Sequence, residues 1–176
     1  MANVKLTSKT ALEEQTGSGD LYMIVDVSDS TGSAEGTSKK LDSKFVIQTD
    51  KISLSNADVQ ALVSSPKTLV GALSGYMITV FNVNILVTYA SSTESSSNDL
   101  YLGYDGSTDS LYWKYFRDFM NGKTDDLSYS IAADSAAAGT HSASLINRPF
   151  LMWSNLAFNG GWTCDVYVTY AYTKVL

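Results

Sequence analysis

Residues 162–172 read WTCDVYVTYAY and carry the clearest structural signal in the chain. Apolar and aromatic side chains occupy alternate positions of this segment: Trp162, Cys164, Val166, Val168, Tyr170 and Tyr172. The positions between them include Thr163, Asp165 and Thr169. A period of two places these sets on opposite faces of a strand. The segment is therefore predicted to be an antiparallel strand with one buried and one solvated face.

Other segments repeat this kind of signal. Tyr76 to Tyr89 is mostly apolar at its odd positions, and Leu100 to Tyr104 is a short apolar run that ends at the turn signal Asp105-Gly106. Phe150 to Trp153 is a further strand candidate, and Asn159-Gly160-Gly161 reads as a turn. Several strands, serine-rich loops and little helix predict an all-β fold, an antiparallel jelly roll or β-sandwich with one short helix.

Helical signals are few. Ser55 to Leu62 has the composition of a short capped helix that stops before Pro66. Between Ser110 and Met120 the aromatic residues recur at helical spacing, and this pattern predicts a helix. A strand is the alternative there, because aromatic residues also favour strands.

Two further segments are predicted to be loops. Ala90 to Asn98 is almost entirely polar, and its composition is too hydrophilic for a core position. Thr124 to Ser144 shows no clear period and is predicted to be irregular.

Residues 1–50 are predicted to form an N-terminal arm, and residues 51–176 the β-sandwich domain. The arm holds an apolar strand face: Leu21, Met23, Val25 and Val27. Lys39 to Ile47 is a second extended segment. About fifty residues with two short strands bury little surface alone. We therefore expect the arm to pack on another surface, which is its own C-terminal domain, a sister subunit or a larger assembly. Strand addition to, or packing on, a neighbouring subunit is a plausible form of this contact.

Composition excludes several classes of protein. The chain has 176 residues, 12 Lys and Arg against 18 Asp and Glu, and a net charge of −6. Nucleic-acid binding needs a basic face, so this balance argues against it. Only 17% of residues are charged, while 25 Ser and 16 Thr supply hydroxyl groups in their place. No apolar run has the length of a membrane span, and the first residues lack the apolar segment of a signal peptide.

Signals for catalysis or cofactor binding are nearly absent. A nucleophile needs a neighbouring base, and the single Cys and single His are Cys164, on an apolar strand face, and His141, in a predicted loop. Asp105 to Asp109 resembles a cation-binding loop only weakly, and Asp125-Asp126 is as well explained as a turn cap. We therefore predict no catalytic residues, no metal site, no cofactor and no enzymatic activity.

Aromatic residues concentrate after residue 75, where ten of the eleven Tyr and all three Trp lie. Most of them suit a sandwich core. Others can form a ligand or interface surface, because Tyr and Trp are enriched at interfaces. The candidates for such a surface are Tyr112, Trp113 and Tyr115. A sugar-stacking platform is a third interpretation of the same residues.

The order of motifs resembles the virion structural proteins of tailed bacteriophages. The N-terminal part of the resemblance is carried by three segments: Ala2 to Leu12, Gly19 to Asp29 and Gly36 to Leu41. The part that resembles the small jelly-roll domain following such modules is carried by others: Leu62 with Ser65 to Val70, Tyr76 to Val80, Asn147 to Leu151, Gly160-Gly161 and Val166 to Tyr170.

This resemblance implies a head-fibre or decoration protein of the capsid, whose arm docks on the particle and whose sandwich projects outward. The implied partners are capsid, neck or tail subunits, and the implied assembly is a homotrimer located in the virion after synthesis in the host cytoplasm. No membrane insertion is implied. The alternative is a tail-fibre or baseplate protein that binds a host-surface glycan.

Overall fold

The computed structural model describes residues 21–26, 31, 37–42, 45–104, 112–132 and 145–174. Contacts divide the chain into two compact units, with the boundary between Lys44 and Phe45. In the described part of the first unit, strand β1 (Leu21–Asp26) pairs antiparallel with β2 (Thr37–Asp42). The predicted arm thus contains a two-stranded hairpin. Its predicted docking role stays a prediction.

The second unit contains eight strands and one short helix among its described residues. The strands are β3 (Gln48–Leu54), β4 (Lys67–Val70), β5 (Tyr76–Tyr89), β6 (Leu100–Gly103), β7 (Tyr112–Phe116), β8 (Leu127–Ala132), β9 (Phe150–Ser154) and β10 (Trp162–Lys174). The helix, α1, spans Asn56–Ala61. The described residues include no helix long and apolar enough to span a membrane.

The strand pairing is that of a jelly roll. Strands pair antiparallel in nested order, β3 with β10, β4 with β9, β5 with β8 and β6 with β7, as in one long hairpin. That ribbon is folded over, so that β10 also pairs with β5 and β9 with β6. Two four-stranded sheets result, in the orders β3-β10-β5-β8 and β4-β9-β6-β7. This order confirms the predicted jelly-roll fold.

The core lies between the two sheets, and β10 supplies one wall of it. Trp162, Cys164, Val166, Val168 and Tyr170 are all buried, as the alternation predicts. The opposite wall comes from the second sheet, through residues that include Leu100, Leu102, Phe150 and Met152. Side chains of the two inner faces fill the space between the sheets, which is the packing expected of a sandwich.

The start of the sandwich lies slightly earlier than residue 51. Strand β3 begins at Gln48, and Gln48, Thr49 and Asp50 all pair with residues of β10. These three residues therefore belong to the first sheet of the sandwich by their pairing.

The predicted helix between Ser110 and Met120 is wrong. Residues 112–116 form strand β7, which pairs with β6, and residues 117–120 form a turn in which Asp118 and Met120 have positive φ. Trp113 and Met120 still reach the core, as the helical spacing indicates. Trp113 reaches the core through a register shift between β6 and β7, and Met120 reaches it through the turn that follows. The spacing of apolar residues therefore does not distinguish a helix from a strand followed by a turn.

Strand β8 lies inside the segment predicted to be irregular. Leu127, Tyr129 and Ile131 alternate with Ser128 and Ser130, and the first three pack against the core. The short alternation is a strand signal that serine-rich composition conceals. Residues 133–144 of the same segment lie outside the described part of the chain.

Helix α1 confirms the predicted capped helix. Ser55 is the N-cap, its hydroxyl accepts a hydrogen bond from the Asp58 backbone N–H, and the Asp58 carboxylate accepts one from the Ser55 N–H at 3.0 Å. Asp58 also forms an ion pair with Lys67 of β4 at 2.9 Å. The hydrogen bonds from Ser55 hold the pKa of Asp58 below its usual range, and the hydrogen bond from Lys67 adds to this effect. The helix thus joins β3 to β4 through a rigid corner.

Replacing Ser55 by Ala removes the capping box, and we expect it to destabilise the protein by about 1 kcal/mol. Urea unfolding followed by Trp fluorescence measures the change. Ser65→Ala, an exposed serine just beyond the helix, is the matched control and should leave the midpoint unchanged. Equal effects of the two variants would contradict the capping role.

Candidate functional site

A buried carboxylate organises the loops at one end of the sandwich. Glu94 is 3% exposed and accepts hydrogen bonds from four donors. Oε1 accepts from the Trp162 indole at 2.7 Å and from the Gly160 N–H at 3.0 Å. Oε2 accepts from the Asn159 N–H at 2.8 Å and from the Asn98 amide at 3.1 Å. The charge is therefore stabilised in the interior by oriented N–H groups.

The turn Asn159-Gly160-Gly161 is shaped to receive this carboxylate. Gly160 and Gly161 have φ of +83° and +81°, in the region that favours glycine. A side chain at Gly160 would also collide with the Asn56 amide, and one at Gly161 would collide with the Ser92 backbone. Glycine is required at both positions by backbone conformation and by space.

A second carboxylate, Asp99, holds the neighbouring loop and is 9% exposed. It accepts hydrogen bonds from the Tyr115 hydroxyl at 3.1 Å, from the Asp118 N–H at 2.9 Å and from the Asn155 amide at 3.3 Å. Partial desolvation of the hydroxyl, and next the hydrogen bond to Asp99, raise the pKa of Tyr115. The Asp99 N–H in turn donates to Asn155 Oδ1 at 2.8 Å.

These carboxylates correct the prediction that Ala90 to Asn98 is too hydrophilic for a core position. Glu94 and Asn98 are both buried, because each finds hydrogen-bond partners inside the fold. Both carboxylates are occupied by internal donors, so the arrangement fixes loop geometry. No sequence signal marks Glu94, since three of its four donors come from a segment more than sixty residues away.

The three aromatic residues selected as a ligand or interface surface do not share one exposed face. Trp113 is 9% exposed and its ring packs edge-on against Phe150, with centroids 5.9 Å apart. Tyr115 is 38% exposed. Tyr112 contributes backbone pairing to β7, and its side chain lies outside the described structure.

Tyr115 belongs instead to an aromatic row across the second sheet. Tyr101 pairs with Tyr115 on one side and Trp153 on the other, with ring centroids 5.1 and 5.5 Å apart. Tyr101 and Trp153 alternate with core residues and so lie on the outer face of the sheet. Trp153 is nevertheless 2% exposed, and its Nε1 has no hydrogen-bond partner among the described residues.

The outer face of the first sheet is polar and hydroxyl-rich. One row across it runs Lys51, Tyr167, Asn84 and Ser130, in the register of β3, β10, β5 and β8. The ammonium of Lys51 lies 5.7 Å from the centroid of the Tyr167 ring and 2.8 Å from Asp165. The hydrogen bond from Lys51 holds the pKa of Asp165 below its ordinary value. This face offers donors, acceptors and an aromatic ring to solvent.

A groove of about 480 Å³ lies between β7, an edge strand of the second sheet, and β8, an edge strand of the first sheet. Lys114 and Phe116 line it from β7, and residues 128–132 line it from β8. Its walls combine serine hydroxyls with the rings of Phe116 and Tyr129. The groove follows a strand edge and holds no carboxylate among its lining residues.

The four arm residues that are predicted to anchor the protein share one face of a predicted strand. Leu21, Met23 and Val25 lie in β1, where they pair with Asp42, Lys40 and Ser38 of β2. Val27 lies outside the described residues, as do His141 and the segment Asp105 to Asp109. The described residues contain no group of three or more His, Cys, Asp or Glu that could hold a metal. Asp126 accepts a hydrogen bond from the Tyr89 N–H at 2.8 Å, which joins the end of β5 to the residue before β8.

Cys164 is buried in the core, as predicted. Burial, with smaller contributions from Asp165 and Asp58, raises the pKa of its thiol to about 12. Reactivity of a cysteine requires the thiolate, so this thiol is chemically inert in the folded protein.

No protein-family model matches the chain, and no curated protein matches it. Among solved structures, a chain of the cyanophage Pam1 capsid asymmetric unit is 11% identical, with 98% of this chain and 99% of that chain covered and a TM-score of 0.42. A chain of Israel acute paralysis virus is 10% identical, with coverages of 96% and 94% and a TM-score of 0.32. At these values the assignment of the fold rests on the strand order itself.

Glu94→Gln places an NH₂ group against N–H donors, and we expect it to destabilise the protein by about 2–3 kcal/mol. Chemical unfolding measures the loss, and near-ultraviolet circular dichroism reports the displaced Trp162. Asp125→Asn, at an exposed carboxylate, is the control with the same chemical change. A Glu94→Gln protein as stable as the control would show that the buried charge does not hold the loops.

Native protein should resist a thiol reagent, and denatured protein should react at once, because Cys164 lies in the core. Cys164→Ser should lower stability modestly by burying a hydroxyl. Labelling followed by mass spectrometry gives the rate. Rapid labelling under native conditions would contradict the burial.

Proposed function

We propose that the protein is a structural component of a bacteriophage virion, a capsid-attached head-fibre or decoration protein. In this proposal the N-terminal arm docks on the particle and the jelly roll projects outward. The partners are other virion proteins of the capsid, neck or tail, and the chain assembles as a homotrimer. The protein acts by assembly and catalyses no reaction.

The observation that carries the proposal is the nested strand order together with a separate N-terminal hairpin. Eight strands in two Greek keys recur in viral capsid and lectin domains, where the sandwich serves as a rigid building block. The division at Lys44 and Phe45 is the arrangement that an arm and a projecting domain require. The motif order that resembles phage virion proteins supports the same assignment.

The surface chemistry also supports the proposal. A net charge of −6 disfavours contact with packaged nucleic acid and suits a position outside the shell. The hydroxyl rows of the first sheet, such as Thr49 against Thr169 at 2.9 Å, leave a solvated outer face with few charges. The loops at one end of the sandwich are fixed by Glu94 and Asp99, which gives the domain a rigid tip.

The second candidate is a tail-fibre or baseplate protein that binds a host-surface glycan. The outer face of the first sheet favours it, because Tyr167 lies among the polar groups of Lys51, Asn84 and Ser130. An aromatic ring beside amide and hydroxyl groups is the chemistry that recognises sugars. Tyr167→Ala and glycan-array binding distinguish this candidate from a purely structural role.

Removal of residues 1–44 should leave a folded jelly roll that no longer joins particles. The deletion ends at Lys44 because β3 begins at Gln48 and is required for the first sheet. The experiment expresses tagged protein in cells that produce the phage encoding it, and measures copy number in purified particles by mass spectrometry. Circular dichroism and thermal unfolding show whether the deleted protein folds.

Met23→Asp with Val25→Asp should reduce incorporation in the same way, because it places charge on the apolar face of β1. Thr88→Asp with Ser91→Asp adds the same charge at exposed positions of the sandwich and is the matched control. Incorporation of the deleted protein at normal copy number would overturn the anchoring role. Absence of the full chain from purified particles would overturn the virion assignment.

A further inference from the structure

Strand β8 is the one uncharged edge of the two sheets. Of the four edge strands, β3 carries Asp50 and Lys51, β4 carries Lys67, and β7 carries Lys114. Charged residues on an edge strand oppose pairing with another chain. Strand β8 reads LSYSIA and has no charge and no proline along its six residues. Among the described residues no strand lies beyond β8, so this edge is the one best suited to an added strand.

The groove beside β8 exposes the strand edge itself. Its lining includes five consecutive residues of β8, from Ser128 to Ala132. Side chains of consecutive residues in a strand point to opposite faces of the sheet. A groove on one face would therefore be lined by every second residue only. A run of five in sequence shows that the main chain of β8 borders the groove. An extended segment there can reach both the backbone groups and the rings of Phe116 and Tyr129.

Strand β1 has the complementary properties. It has six residues, as β8 does, and it is uncharged from Leu21 to Val25. Its only described hydrogen-bonded neighbour is β2, which carries Lys39, Lys40 and Asp42. A two-stranded hairpin is only marginally stable in water, and among the described residues no strand lies along the other edge of β1, so that edge can accept a partner. The charges on β2 leave β1 as the edge that can accept one.

We propose that β1 of a second copy of the chain pairs with β8 and extends the sheet to β3-β10-β5-β8-β1-β2, with the hairpin of the second copy kept intact. The face of β1 that holds Leu21, Met23 and Val25 then covers the groove over Phe116 and Tyr129. Backbone hydrogen bonds supply the affinity, and the apolar face supplies the specificity. This inference rests on the proposed docking role of the arm and names a second copy as its partner.

The contact is heterologous, because β1 of one copy meets β8 of the next. Such a contact closes into a ring when the rotation between copies permits it, and otherwise propagates as a filament. A closed ring of three is the homotrimer of the proposed function. Each copy then donates one strand and receives one, and no uncharged edge of the first sheet stays exposed.

Cross-linking between two differently tagged full-length proteins tests the pairing. One protein carries Ile24→Cys and the other Ser130→Cys, each at the fourth position of its strand. Across adjacent strands, Cα atoms of opposite residues lie about 4.5–5.5 Å apart and those of diagonal neighbours about 7–8 Å, so a short bismaleimide joins the two cysteines in either strand direction. We expect a mixed cross-linked dimer. Native Cys164 is buried and does not react. Thr88→Cys, exposed on the interior strand β5, replaces Ser130→Cys in the control mixture and should give none.

Three results would overturn the proposal. The first is no mixed dimer, including the case where a chain with both cysteines cross-links only within itself. The second is dimers of the Ser130→Cys protein alone, which would indicate β8–β8 pairing. The third is an equal yield with Thr88→Cys. Failure of cross-linking while the arm is still required for incorporation into particles would refute the second-copy partner alone, and the virion role would stand.

A lysine at the edge supplies an independent readout. Ser128→Lys adds an edge charge on β8, and Leu86→Lys adds the same charge at the paired position of interior strand β5. Sedimentation of the full chain should show loss of the oligomer for Ser128→Lys only, with unchanged melting temperatures for both. An oligomer that persists in the Ser128→Lys variant would overturn the proposal. Dissociation of the oligomer by both variants would also overturn it, because that result would place the contact on the face of the sheet.

Discussion

The pairing of β10 with its two neighbours is the interaction on which the rest of the structure depends. β10 runs between β3 and β5 in the first sheet, and its alternating side chains form one wall of the core. A one-residue slip would turn Trp162, Val166 and Val168 to solvent and bury Asp165. The register of the whole sheet is therefore determined by the requirement that one face of β10 be buried.

The ends of the sandwich are held by a different kind of interaction. Glu94 is one carboxylate with four donors, and those donors join the loop before β6 to the turn before β10. Burial of a charge is costly unless hydrogen bonds replace those of water, so the loop and the turn are compatible only in one arrangement. Asp99 does the same for the neighbouring loops.

The edges of the sandwich bear on its function. Every sheet that is not closed into a barrel leaves unpaired backbone groups at its edges, and proteins protect them with charge or with a partner. Charged residues lie on three of the edge strands of this sandwich, β3, β4 and β7, whereas β8 carries none. The same chain contains a two-stranded hairpin, a structure that is marginally stable alone. The proposed assembly gives β8 and the hairpin a partner through one contact.

The amino-acid pattern alone predicts the strands whose alternation is long, the helix cap at Ser55 and the burial of Cys164, because each depends on neighbours in the chain. It did not distinguish strand from helix between Ser110 and Met120, since aromatic residues suit both and only pairing with β6 decides between them. Its composition also concealed β8, where serines occupy the solvent face. The burial of Glu94 and the groove beside β8 became visible only in the folded chain. Each of these depends on groups brought together by the folding of the long hairpin over itself, and separation along the chain leaves no local pattern from which they can be read.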